Sequence, residues 1–207
     1  MVYLQPTDYL NYGLSASTSM DWVTAATALI NSYCRRPDLN VTEYTERLRI
    51  VSGAQTVILS YLPLAPLGMA QSPLISVSGR YGKPRRGEVM AEPLGEIAFA
   101  FSLPGQWTMI DANMVDFDPA SGELTLPWNV LGLPYNEVAV TYTAGLAVIS
   151  DDVKTACAQI VRNAQATPAL NTSMSKIDTM QVKYFSSSLL DETVQTWLRP
   201  YVSSRMG

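Results

Sequence analysis

The chain has 207 residues, 47% of them hydrophobic and 15% charged, a globular composition that excludes a disordered or fibrous protein. Its length allows one generous domain or a small core carrying a second lobe. The formal charge of -4 gives no global reason to bind nucleic acid, and the lack of any histidine removes the commonest general base, the Ser-His and Cys-His pairings and the usual catalytic zinc sets.

The N-terminal "MVYLQPTDYL" has no basic region followed by an apolar one, so no signal peptide is expected. After this polar lead-in, "STSMDWVTAATALINSYC" carries Trp22, Ala26, Leu29, Ile30 and Tyr33 at three- and four-residue spacing, which predicts an amphipathic helix near 18–34. Thr18 is the expected cap, with Asp21 near the positive end of the helix dipole, and Pro37 stops the helix by disfavouring helical geometry at Arg36.

From Val41 to about Leu146 the pattern turns strand-like. "VTEYTERLRI", "TVILSYL", "LISVSGRY", "EIAFAFSL", "GQWTMI", "ELTLPW" and "EVAVTYTA" are short, β-branched and aromatic, and Pro, Gly, Asn and Asp separate them. They predict an antiparallel β lobe. The most apolar run, "VILSYLPLAPLGMA", is broken by Pro63 and Pro66 and is too short to span a bilayer, so no membrane partner and a cytoplasmic site of synthesis are expected. "DFDPASGELTL" reads as a hairpin, opened by Asp118-Pro119 and given its positive φ by Gly122.

Gly145 ends the last strand, and helix resumes with Ser150 as cap, Asp151 and Asp152 in the first turn, and Val153, Ala156, Cys157, Ile160 and Val161 in one stripe. Cys34 and Cys157 sit in apolar helical settings and read as buried reduced thiols. "QATPALNTSMSK" is a polar connector, "IDTMQVKYFSSS" a strand or extended arm, and "LLDETVQTWLRPYVSSRMG" a short helix with Leu190, Val194, Trp197 and Leu198 on one face. The predicted fold is therefore α+β. Residues 1–40 and 147–170 form a small helical core at the two chain ends, 41–146 an inserted antiparallel β lobe, and 171–207 an extended C-terminal arm with a short helix.

Chemistry is sparse. Ser173 and Lys176 fit S-x-x-K, but the companion K-T-G is missing and the motif falls in a connector. "DFDPASGE" fails as a calcium loop, since Gly122 comes one place late and Pro127 stands where the closing glutamate belongs. Glu43 with Glu46 and Glu88 with Glu92 are carboxylate pairs best read as solvated surface. No glycine-rich phosphate loop is present. The expectation is no enzyme, no cofactor and no metal. The one basic cluster is "GRYGKPRRGE", with Arg80, Lys83, Arg85 and Arg86. In a monomer it is a solvated hairpin tip. Around a common axis it becomes a positive ring that attracts a polyanion by counterion release.

Several stretches, in order, resemble the phage head–tail connector family, also called adaptor or head-completion proteins: the early helix "DWVTAATALINSYCRR", the hairpin "FDPASGELTLP", the handover "VAVTYTAGL" to "SDDVKTACAQIV", and the closing "ETVQTWLRPY". The resemblance implies a non-enzymatic virion protein at the head–tail interface. It would form a ring, twelvefold on the portal protein, that continues the DNA channel and offers a surface to a tail or stopper protein. Leu190, Val194, Trp197, Leu198 and Tyr201 would then dock on the portal, as an arm that orders only there. Arg80, Lys83, Arg85 and Arg86 would touch packaged DNA non-specifically or meet an acidic neighbour. With no long heptads, the isolated chain is expected to be monomeric or weakly associated. Two other readings remain: a carbohydrate- or receptor-binding tail module using Trp107, Trp128 and Tyr135, and a carboxylate-dependent hydrolase.

Overall fold

The structure, a computed structural model, describes residues 2–50, 54–80, 105–128, 135–166, 174–177, 180–183 and 189–203. The fold is α+β, as the sequence predicts, and it divides into two compact units. One is drawn from both chain ends, up to Leu39 and from Val148 onward; the other is the continuous stretch Asn40–Ala147.

In the helical unit a 3-10 helix, Pro6–Tyr12, precedes helix α1, Met20–Cys34. Ser19, one place after the expected Thr18, caps α1 by accepting a hydrogen bond from the Asp21 amide. The helix ends where predicted, with Arg35 in the left-handed conformation and its N–H turned back to the last turn. The buried face is Val23, Ala26, Thr27, Ile30 and Cys34, while Leu29 and Tyr33 are only partly covered. Trp22, expected in the core, is 45% exposed. The apolar stripe is thus offset from the predicted one: Trp22 is the bulkier residue, but Val23 occupies the inward position.

Helix α2, Asp151–Ala166, buries all five residues of its predicted stripe. Its Cys157 shares one apolar cluster with Cys34 of α1, and both thiols are free and pushed up to about 11 by burial. The N-terminal lead-in is no polar tail. Tyr3, Leu4, Tyr9 and Leu14 are buried in the same cluster, and the Tyr3 hydroxyl donates to Asn31 and to Asp38 at 3.2 Å while accepting from the Leu39 amide at 2.8 Å. Beyond α2, strands β8 (Met174–Ile177) and β9 (Met180–Lys183) form an antiparallel hairpin, where the sequence suggested a connector and a single arm. Helix α3, Glu192–Leu198, follows, capped by Asp191, whose carboxylate accepts from the Val194 amide at 2.8 Å.

Among the described residues the lobe holds two antiparallel sheets. Numbering its strands β1 (Thr42–Arg49), β2 (Thr56–Ile58), β3 (Leu74–Arg80), β4 (Thr108–Ile110), β5 (Asp116–Phe117), β6 (Glu123–Thr125) and β7 (Glu137–Ala144), the orders are β1-β7-β3-β4 and β2-β6-β5. Six of the seven predicted runs each contain one of these strands, β5 lies in the predicted hairpin, and "EIAFAFSL" lies outside the described residues. The hairpin of β5 and β6 forms as expected, with Gly122 at φ 68° and Asp118 accepting from the Ala120 and Ser121 amides. Strand alternation sends Tyr44, Val77, Val138, Val140 and Tyr142 of the larger sheet inward, and Val57 and Leu124 of the smaller one join them in a single cluster. Glu46 also points inward, where it accepts from the Tyr142 hydroxyl and from Ser60 Oγ at 2.8 Å.

Gly145 closes the lobe. Its φ is 140°, and a Cβ there would stand 2.3 Å from the Asn40 carbonyl oxygen, so only glycine fits where the entering and leaving chains meet.

Candidate functional site

The proposed docking residues lie in the helical unit. Val194 and Leu198 of α3 are fully buried in the cluster formed by α1 and α2, and Leu190, Trp197 and Tyr201 are partly covered against it. Tyr201 Oη stands 2.8 Å from Ser150 Oγ, the hydroxyl expected to cap α2. The expectation of a segment separate from the core fails for residues 189–203. Their apolar face is covered by the chain's own helices, which leaves Val194 and Leu198 no surface for a partner.

Of the basic cluster, Arg80 is described, at the end of β3; Lys83, Arg85 and Arg86 lie outside the described residues. Arg80 has neighbours that the sequence did not single out. In the register of the larger sheet, Arg49 and Arg80 stand on either side of Glu137, and Arg47 is two residues along on the same face. Arg47 Nη2 and Arg80 Nε donate to Glu137 Oε2 at 2.7 and 2.6 Å, and Arg49 Nη2 reaches Oε1 at 3.1 Å. The Glu137 side chain is 3% exposed, whereas that of Arg47 is 57% exposed. Burial opposes ionisation of Glu137, but the hydrogen bonds and charges of Arg80 and Arg47 outweigh it and hold the carboxyl below the ordinary glutamate value.

Trp107 completes the group. The Arg80 guanidinium lies 4.5 Å from its ring centroid and that of Arg47 5.6 Å, and the ring is 38% exposed. Three guanidinium groups gather on this one carboxylate, with Arg80 and Arg47 also held against the Trp107 ring. Such a face can hold an anion. Arg47 and Arg49 alternate with Leu48 in "ERLR", a pattern visible in the sequence, but the carboxylate that gathers them comes from a strand far along the chain.

The other sequence candidates separate. Glu43 and Glu46 are three apart on β1 and so face opposite sides of the sheet; Glu88 and Glu92 lie outside the described residues. Ser173 is likewise outside them. Tyr135 is buried while Trp107 and Trp128 are exposed, so the three rings make no common exposed platform. Among the described residues, no group of three or more Cys, Asp or Glu could hold a metal ion, and no helix is long and apolar enough to cross a membrane.

Compared with known proteins, the sequence matches no family model and no curated protein.

Proposed function

We propose that the protein is a non-enzymatic structural component of a phage particle, a head–tail adaptor that sits in a ring under the portal, continues the DNA channel and presents a surface to the tail. The observation that carries this reading is the handover from strand to helix. Strand β7 ends against Gly145, and α2, with Asp151 and Asp152 in its first turn, begins at Asp151, so that a β lobe is inserted between helices of one core. The order of elements on either side is the one on which the resemblance to connectors rests. In this reading the portal-facing element reduces to the partly covered residues of α3 and its flanks, Leu190, Trp197 and Tyr201.

Immunogold labelling of purified particles with an antibody against this chain tests the proposal. The expected label falls at the vertex between head and tail. Label on tail fibres, or particles without label, would overturn it.

A further inference from the structure

The lobe carries opposite charge on its two outer faces. On the four-stranded sheet the outward residues include Arg47, Arg49 and Arg80 around Glu137, with Glu43 alone at the far end of β1. On the three-stranded sheet the inward residues are Val57, Phe117 and Leu124, so Asp116, Asp118 and Glu123 face outward, and all three are exposed. Asp118 and Glu123 lie directly opposite at the hairpin end, where the Asp118 amide donates to the Glu123 carbonyl at 3.0 Å. Hydrogen bonds from the Ser121 side chain and from the Ala120 and Ser121 amides hold the Asp118 carboxyl below its ordinary value and keep it charged. Among the described residues no lysine or arginine pairs with any of the three carboxylates. Each face also exposes apolar surface, Trp107 and Met109 on the basic one and Ile58 on the acidic one.

We infer that the lobe binds a second copy of this chain head to tail, the arginine face of one lobe against the acidic hairpin of the next. The two faces belong to different sheets of the same lobe, so the contact is heterologous and propagates from copy to copy, the arrangement that builds rings when the rotation closes. This rests on the ring of the adaptor reading, to which it gives an interface. Exposed ion pairs are individually weak and screened by salt, so association of the free protein is weak and falls steeply with ionic strength.

The test uses purified full-length protein at high concentration, followed by sedimentation velocity in low and high salt. Wild type should self-associate in low salt only. Arg47→Glu and Glu123→Arg should each weaken association by about tenfold, through lost pairing and new repulsion. Mixing the two variants, or combining both changes in one chain, should restore it, which an association through some other surface would not do. Circular dichroism checks that each variant is folded. No self-association of the wild type, or single variants that associate as wild type does, would overturn the inference. So would Arg47→Glu abolishing binding to DNA oligonucleotides while self-association is absent, since nucleic acid would then be the occupant of the arginine face. Because no particle is involved, a failed labelling experiment on virions leaves this outcome separately readable.

Discussion

The helical unit and the lobe handle charge differently. In the helical unit the core is mostly apolar, with Arg36 buried beside it and the Tyr3 hydroxyl on Asp38, while Lys154 meets Asp8 at 3.5 Å and the Tyr12 hydroxyl donates to Asp151 at 2.6 Å at partly exposed positions. The lobe buries the carboxylate of Glu137 under three arginines and turns Glu46 inward against Tyr142 and Ser60. Helix stripes sort residues into a core side and a water side. Paired strands instead stack polar side chains into rows across neighbours, so charge can be enclosed if every member has a partner. The lobe is where ionic groups are held in fixed geometry, and that is where recognition is to be sought.

The sharpest break in this comparison comes from the helical side. Leu198→Ala, at a fully buried position, should cost about 3–4 kcal/mol in urea unfolding, and hydrogen exchange should show α1 and α2 losing protection with α3. A small effect confined to α3 would mean that the segment is peripheral after all. On the lobe side, Gly145→Ala should cost about 3 kcal/mol, because the new Cβ meets backbone that cannot yield.

Glu137→Gln should cost about 2 kcal/mol, below the usual penalty for breaking a buried pair because the arginines reach water. Its pH signature has a definite sign. The folded-state pKa is depressed, so the stabilisation is present above the ordinary glutamate value and is lost as pH falls through the folded one; Glu137→Gln should remove that acid-side loss. The helical unit should show the opposite sensitivity. The hydrogen bond to Asp151, with burial and the Asp151 charge, pushes Tyr12 up to about 12, so this contribution is intact below the ordinary tyrosine value and disappears as pH rises through about 12. Tyr12→Phe should abolish that alkaline loss in a pH series of unfolding curves. Smallest of all, Trp22→Ala should change stability by less than about 0.5 kcal/mol, since the ring stands outside the core.

Much of this fold is legible in the sequence. The α2 stripe, the β5–β6 hairpin and the strand break at Gly145 each rest on local chemistry, a helical period, a turn or a strand-ending glycine, and each stands where the sequence predicts it. What local chemistry leaves open is the identity of the partner. Leu190, Val194, Trp197 and Leu198 form the same amphipathic pattern whether another protein or the chain's own helices cover it, and here α1 and α2 do. Tyr3, Leu4, Tyr9 and Leu14 carry no periodic signal, because their spacing within and around the 3-10 helix follows neither the helical nor the strand period. Of the arginine face, the sequence marks Arg80 alone, as part of the basic cluster. Its organising residue, Glu137, is an ordinary strand glutamate until the register sets Arg49 and Arg80 beside it.

The pairing of β1 with β7 also bears on the order in which the molecule is made. Thr42 pairs with Ala144, and Asn40 bridges Leu146, so the lobe releases its two chain ends side by side. In an unstructured chain, bringing α1 to α2 would mean closing a loop as long as the whole intervening stretch, at an entropic cost that rises with the logarithm of its length. Once the lobe is folded, that loop shrinks to the few residues flanking the strands. The lobe is continuous in sequence and can form as it leaves the ribosome, whereas the helical unit must wait for residues near the C-terminus. The first-made helix is then among the last to find its place, held near its partner by a sheet that has already closed the gap.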